Sequence, residues 1–319
     1  MAENKIKLRP LAEQVIVITG ATSGIGLATA EMAAERGASV VLSSRNEEDL
    51  EQIIQRLQSA GYKARGVNAD VCKMTDLENL AQVAIETFGR IDTWVNNAGG
   101  SIYGPLLEIP EEEERALFDV NFWGVRNGCR VAFQHMKENG GAIINLGSEV
   151  SVRSLPLQGM YSATKHAVKA YTDALRMELE HDGYPISVSL IRPTAINTPF
   201  AEHAVNHLRS GEPSLPDPIY HPDYVAEAIL KCATDVIRDV FVGGPSKMSA
   251  VMEFIMPGMT DKHMEKSSYK DQSAGESIPH EEGQEGLHHA PAHEGNVFGH
   301  HKGKKTKQRS DMKTPEAKH

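Results

Sequence analysis

The sequence predicts an α/β fold: a doubly wound parallel sheet with helices on both faces, in a single domain followed by a disordered C-terminal tail. Three observations predict it. Short runs rich in Val and Ile alternate with longer segments of helical spacing. The short runs carry almost no charge, which is how strands buried on both faces read. The apolar content then collapses near residue 270. Only nine of residues 271–319 are apolar, against 40% of the 319-residue chain. So few cannot offset the entropy of ordering the segment. The boundaries drawn are 1–260 for the domain and 261–319 for the tail.

Each element follows in order. Strands are expected at 15–19, 39–43, 64–68, 93–96, 142–146 and 186–191, with a last strand at 240–242. Helices are expected at 24–36, 47–60, 74–88, 111–137 and 159–181. Leu50, Ile53, Ile54 and Leu57 in the second helix fall on one face. Gly37, Gly61 and Gly89 stand where helix C-caps belong. Residues 193–221 form a proline-interrupted segment suited to a lid, with a short helix expected at 201–209. The apolar, methionine-rich residues 248–259 read as packing or oligomer surface. A membrane-surface helix would carry more Lys and Arg on one face.

Composition excludes several functions. The formal net charge of −10 argues against a dedicated nucleic-acid binder, and 6% aromatic residues argue against a stacking platform for single strands. Cys72, Cys129 and Cys232 are odd in number and widely spaced, so neither a disulfide framework nor a thiolate zinc site is expected. Seven of the fourteen histidines lie in the tail, beside a basic cluster at 302–309. They read as a solvated polar tract, and no metal site is expected. Residues 1–13 have no apolar signal region, and no apolar run of about 20 residues exists to cross a membrane. The expected location is cytoplasmic.

The first strand runs into Thr19-Gly20-Ala21-Thr22-Ser23-Gly24-Ile25-Gly26 and then a helix. Glycines there let the backbone approach a pyrophosphate, and the helix N-terminus offers free N–H groups. An ordinary strand-to-helix turn is the alternative. The second strand ends at Ser44-Arg45, where an acid would grip a ribose hydroxyl. Arg45 instead offers a guanidinium suited to a 2′-phosphate, or stands solvated at the strand end. Asp70, followed by Val71, either accepts from an adenine amino group or caps the next helix; both readings stay open. Asn97, Ala98 and Gly99 end the fourth strand with small residues that permit close contact with an adenosine ribose.

The chemistry gathers further along. The fifth strand ends at Ser148, and Tyr161 and Lys165 lie four apart at the start of a long helix, hence on one face. A phenol near pKa 10 is a poor base at neutral pH, and a neighbouring ammonium lowers that value. A tyrosine so tuned can exchange a proton with a carbonyl or alcohol oxygen, which Ser148 can also hydrogen-bond.

In this order and spacing the chain resembles the short-chain dehydrogenases/reductases. The motifs are TGxxxGxG (Thr19 to Gly26), NNAG (Asn96 to Gly99), the helical Asn121, Ser148 and YxxxK (Tyr161 to Lys165). The resemblance covers roughly residues 12–245 and implies a Rossmann-like fold and an NADP(H)-dependent oxidoreductase acting on a carbonyl/alcohol pair. It implies Tyr161 as acid/base and Lys165 as the group that tunes it and holds the nicotinamide ribose. Ser148 would orient the substrate oxygen, and Asn121 would anchor a water in a proton relay. It implies NADP(H) over NAD(H) from Arg45, and a nicotinamide clamp at Pro193 and Thr198. The chain departs from the family at Thr194, where a glycine is usual; a β-branched residue there disfavours positive φ.

Ser101, Ile102, Tyr103, Glu149, Leu155, Leu157 and Met160 are the candidate pocket residues, with Glu149 beside Ser148 as a substrate contact. Most are apolar, so the substrate is expected to be a small hydrophobic or amphipathic carbonyl or alcohol. A homo-dimer or homo-tetramer is expected, with no nucleic-acid partner. The competing reading is a non-catalytic dinucleotide-binding sensor or scaffold that uses its tail for partner contacts.

Overall fold

The computed structural model describes residues 6–243, 255–272, 286–291 and 295–299. Its strands are β1 (Val15–Thr19), β2 (Ser39–Ser44), β3 (Ala64–Asn68), β4 (Thr93–Asn96), β5 (Ile102–Tyr103), β6 (Gly141–Leu146), β7 (Ile186–Pro193), β8 (Val205–Asn206) and β9 (Asp239–Val242). Its α-helices are α1 (Gly24–Glu35), α2 (Glu47–Ser59), α3 (Met74–Phe88), α4 (Glu111–Phe118), α5 (Gly124–Met136), α6 (Gly159–His181), α7 (Asp223–Thr234) and α8 (Pro257–Gln272). Seven strands form one sheet in the order β3-β2-β1-β4-β6-β7-β9. Every pair in it is parallel.

Alternation within β1 explains the layers. Ile16 and Ile18 point to one face and pack with Leu27 of α1, Leu50 of α2 and Val225 of α7. Val15 and Val17 point to the other and pack with Leu77 of α3, Val131 of α5 and Val168 of α6. All five residues of β1 are buried, as a strand covered on both faces requires. The doubly wound sheet expected from the sequence is therefore present. Strand order reverses between β1 and β4, and that point opens a crevice at the C-terminal strand ends.

The helix expected at 111–137 is interrupted. Asp119–Trp123 is a turn of π-helix between α4 and α5. The interruption turns Asn121 inward, where it is fully buried. Its Oδ1 accepts from the Gly100 N–H at 2.9 Å, and its Nδ2 donates to the Gly100 carbonyl and the Thr164 hydroxyl at 3.0 Å each. Single π turns of this kind recur at functional sites.

The helix expected at 201–209 is also not formed. A 3-10 turn covers Pro199–Ala201, and Val205–Asn206 is strand β8, paired in parallel with β5. β-Branched Val205 sits in a small apolar cluster with Ile102, Ile109, Leu117 and Leu287, and strand pairing delivers it there. Helix α7 is not among the expected elements. It buries Val225, Ala226, Ile229 and Leu230 against the sheet.

The tail drawn at 261–319 is described only in part, and three pieces of it have defined positions. Helix α8 runs to Gln272, whose Nε2 donates to the Pro156 carbonyl at 2.9 Å. Residues 286–291 and 295–299 dock on the domain. Leu287 is only 4% exposed, and Val297 packs against the core beneath α1, α2 and α7. Among the described residues of the tail, Leu287 and Val297 thus serve as docking points. Of the stretch 248–259, residues 248–254 lie outside the described residues; Ile255, Met256 and Met259 are exposed.

Candidate active site

The crevice at the β1/β4 reversal is walled by the turn after β1. Gly20 there has φ +62°, and a Cβ on it would stand 2.8 Å from the Ala98 Cα. A Cβ on Gly26 would stand 2.2 Å from the Gly20 carbonyl oxygen, so the turn and α1 meet only because both are glycine. Asn97 braces the turn from β4, its Nδ2 donating to the carbonyls of Thr19 at 2.9 Å and Gly20 at 2.8 Å. The Thr19 hydroxyl accepts from the Asn97 and Ala98 N–H groups at 3.1 and 3.2 Å. Gly20, Thr22, Ser23, Gly24 and Ile25 line the crevice with Asn97, Ala98 and Gly99; Gly26 supports them from behind.

Ser44 and Arg45 line the same end. The Ser44 hydroxyl accepts from the Thr22 hydroxyl at 2.9 Å and from the Asn46 N–H at 3.1 Å. Asn46 in turn caps α2, its Oδ1 accepting from the Asp49 N–H at 3.1 Å. Arg45 does not stand solvated. Its Nη1 donates to the Leu287 carbonyl at 3.1 Å, and its Nη2 to those of Gly286 and His289, the latter at 3.0 Å. Asp70 and Val71 also line the crevice. The Asp70 Oδ1 accepts from the Cys72 N–H at 3.0 Å, a local turn two residues long, while Lys73 occupies the N-cap of α3.

At the chemical end, Ser148 closes β6 in a capping box: its Oγ accepts from the Val150 N–H at 3.3 Å, and Ser151 Oγ accepts from the Ser148 N–H at 3.0 Å. Tyr161 and Lys165 lie one turn apart on α6, with Nζ 5.7 Å from the phenol ring centroid. Nζ donates to the Leu146 carbonyl at 2.9 Å. A Cβ on Gly99 would stand 3.0 Å from Asn121 Oδ1 and 3.8 Å from that Nζ, so glycine keeps this corner open. Phe200, from the lid, covers Tyr161 with ring centroids 5.6 Å apart.

The electrostatics differ from the sequence expectation. Burial pushes the Tyr161 phenol up to about 12; hydrogen bonding to Ser148 pulls it down, and the Glu149 carboxylate pushes it up. The Lys165 ammonium is pushed down to about 8 by burial. The Tyr161 phenol thus lies above its ordinary value and not below it, with burial the largest cause. Glu149 is raised by burial, and His203 is lowered by it.

Thr194 resolves its departure without positive φ. Among the described residues Leu157 is the one non-glycine with positive φ, at 63°. Thr194 instead fills space over Gly243, where a Cβ would stand 2.2 Å from the Thr194 Oγ1. The glycine needed at this crossing sits on the neighbouring strand end. Pro193, Thr194 and Thr198 all line the crevice, and the Thr198 side chain packs against Gly24.

Of the candidate pocket residues, Tyr103, Glu149 and Leu155 line the crevice. Ser101, Ile102, Leu157 and Met160 do not. Ile102 belongs to the cluster around Val205, with Met160 packed against it, and Ser101 is buried beneath Gln158. The residues missed include Gln158, Phe200, His203, Ser214 and Leu215. Gln158 had a signal: it immediately precedes α6, three residues before Tyr161. The other four come from the lid, whose irregular path leaves no periodicity to read.

The residues present fit a dinucleotide. The Gly20 and Gly26 cradle admits no side chain, it opens onto the α1 N-terminus, and the Thr194 hydroxyl is buried at the far end without a hydrogen-bond partner among the described residues. Comparison with known proteins points the same way. The short chain dehydrogenase family model matches residues 14–208. The uncharacterized oxidoreductase YxnA of Bacillus subtilis (strain 168) is 45% identical over 283 residues, covering 88% of this chain and 80% of that one. An alcohol dehydrogenase from the archaeon Thermococcus sibiricus, solved with 5-hydroxy-NADP, superposes with TM-score 0.63 at 31% identity, over 72% of this chain and 95% of that one. A short chain dehydrogenase/reductase from Burkholderia phymatum, solved with NAD, superposes with TM-score 0.68 at 26% identity, over 88% and 100%. With the motifs in order, the sheet doubly wound and the family match spanning most of the domain, this chain belongs to the short-chain dehydrogenase/reductase family of oxidoreductases.

Proposed function

We propose that the chain is an NADP(H)-dependent oxidoreductase that interconverts a carbonyl and an alcohol, with Tyr161 as the acid/base. One observation carries this reading. A single crevice holds Ser148, Tyr161 and Lys165 at one end, and the glycine turn with Ser44 and Arg45 at the other. Gly20, Thr22, Ser23, Gly24, Ile25 and Gly26 would hold the pyrophosphate side. Asp70, Val71, Asn97, Ala98 and Gly99 would flank the adenosine. Pro193 and Thr198 would border the nicotinamide. When bound, the nicotinamide supplies or accepts the hydride.

The chain's own residues handle the proton. With its phenol pushed up to about 12, Tyr161 is protonated at neutral pH, the form that donates to a carbonyl oxygen. Ser148 hydrogen-bonds the same oxygen. Lys165, held by the Leu146 carbonyl, presents its ammonium beside the phenol, and Asn121 fixes the Gly100 backbone around it. Phe200 and Leu155 give the substrate end an apolar wall, which supports a hydrophobic or amphipathic carbonyl compound, and Glu149 gives it one carboxyl. The reading extends to a cytoplasmic homo-dimer or homo-tetramer whose catalytic domain is residues 1–260. The three free thiols support the reducing compartment, and among the described residues no helix is long and apolar enough to cross a membrane.

NADPH consumption measured against a panel of ketones and aldehydes tests the reading. Turnover of at least one, with tighter binding of NADPH than NADH, is expected. Failure to bind either dinucleotide contradicts it, and binding without turnover of any carbonyl favours the sensor or scaffold.

A further inference from the structure

The groups that would hold the phosphates of a dinucleotide are already engaged by this chain's own tail. Both terminal nitrogens of Arg45 donate to main-chain carbonyls of Gly286, Leu287 and His289. Asn46 Nδ2 donates to the Pro291 carbonyl at 3.0 Å. The Gly24 N–H, a free donor in the first turn of α1, is taken by the Asn296 carbonyl at 3.0 Å, and the Gly295 N–H donates to the Thr22 carbonyl at 2.9 Å. Carbonyl oxygens thus stand against the guanidinium fork and the helix N-terminus, the two features that select phosphate oxygens. Gly286, Ala290 and Pro291 line the crevice itself.

The docking is anchored outside the phosphate groups. Leu287 is buried with Ile102, Ile109, Leu117 and Val205. The Gly286 N–H donates to the His203 carbonyl at 2.9 Å. Phe298 stacks edge-on against His221 with centroids 4.7 Å apart. The tail therefore straps the lid to the second strand end while covering Arg45.

We propose that residues 286–291 and 295–299 form an intrachain strap that competes with NADP(H) for Arg45 and the α1 N-terminus. The inference rests on the reading of this crevice as the dinucleotide site. The three carbonyls take three of the five N–H donors of the guanidinium and stand on both terminal nitrogens, so a 2′-phosphate gripped there competes with the strap. Each strap bond at Arg45 has a neutral acceptor, whereas a phosphate carries full charge, so the cofactor can displace it. Tethering gives the strap an effective concentration in the millimolar range, enough to hold the crevice when cofactor is scarce. Binding is then weakened by the fraction of molecules that are open.

The test uses the full chain. Leu287→Asp places an unpaired carboxylate in the apolar anchor; because that cluster also packs against Tyr161, the readout is cofactor affinity rather than turnover. Calorimetric titration with NADPH should show binding about tenfold tighter than wild type, if about one molecule in ten is open. NADH, which needs no fork, should gain less. Val297→Asp, at the other anchor, should act in the same direction and guards against a local effect at Leu287. Hydrogen exchange of the wild type supplies a second readout: the Gly286 and Gly295 amides should exchange faster when NADPH is saturating. Unchanged or weaker NADPH binding in both variants, or slower exchange with NADPH, overturns the strap and makes the segment a lid that grips the cofactor. If no form of the chain binds either dinucleotide, the dinucleotide site itself is wrong and the strap falls with it.

Discussion

Lys165 donates a 2.9 Å hydrogen bond from Nζ to the carbonyl of Leu146. That bond ties the face of α6 that carries Tyr161 to the end of β6, two residues before Ser148. It holds an ammonium at a buried strand end, and burial there brings its pKa down to about 8.

The consequence for stability has a definite sign. The unfolded chain takes up the Lys165 proton near its ordinary value of about 10.5, and the folded chain only near 8. Below about 8 both forms are charged and the burial penalty is full. As pH rises from about 8 to about 10.5, the unfolded state holds a proton the native state lacks, so stability rises. Lys165→Met removes that slope. Urea unfolding at pH 7.5 and pH 10 should show wild type gaining on the order of 2 kcal/mol relative to the variant. The other groups raised by burial are common to both chains and drop out of the difference.

Cofactor choice is read at Arg45. Charge-assisted hydrogen bonds are worth about 1.5–3 kcal/mol each. Arg45→Ala should weaken NADPH by roughly 10- to 100-fold, at about 1.4 kcal/mol per decade. NADH should be unchanged, or tighter as the strap loosens. Ser44→Asp should favour NADH, because a carboxylate repels the 2′-phosphate and accepts from ribose hydroxyls. Dissociation constants of both cofactors for the three proteins decide it; equal weakening of both by Arg45→Ala contradicts the assignment.

Gly128 predicts a packing cost. A Cβ on it would stand 1.9 Å from Asn96 Oδ1 and 2.8 Å from Trp94 Nε1, two atoms bonded to each other at 2.8 Å. Asn96 Nδ2 also donates to Asn145 Oδ1 at 2.8 Å, and Asn145 Nδ2 to the Thr172 hydroxyl at 2.9 Å. This ladder joins β4 and β6 to α6 under the active site. Gly128→Ala should destabilise by about 1–3 kcal/mol, the cost of overpacking, with more if the ladder breaks. Thermal and urea unfolding check it, and a neutral effect contradicts the packing described.

Much of the architecture is legible because it depends on local pattern. β1, β3, β4, α3 and α6 begin and end where Val/Ile runs, glycine caps and helical spacing put them. The glycine turn and the Tyr161–Lys165 pair are legible because their chemistry fixes residue type and spacing. What stays hidden depends on distant partners. β5 and β8 are two residues each and exist only because Ile102 meets Val205. The π turn at Asn121 needs Gly100 and Thr164 to satisfy it. The sign of the Tyr161 shift follows from burial, which spacing along one helix does not reveal. The tail is apolar-poor on average, yet Leu287 alone secures one end of it in a buried cluster.

Tyr161 is the residue proposed to move the proton. Tyr161→Phe keeps the ring that packs against Phe200 and removes only the hydroxyl. Single-turnover reduction of an accepted carbonyl, with NADPH affinity measured alongside, tests it most directly. The expected rate is lower by about 10²- to 10⁴-fold, the contribution of one acid–base group, at unchanged NADPH affinity. A variant reducing its substrate at near wild-type rate would contradict it.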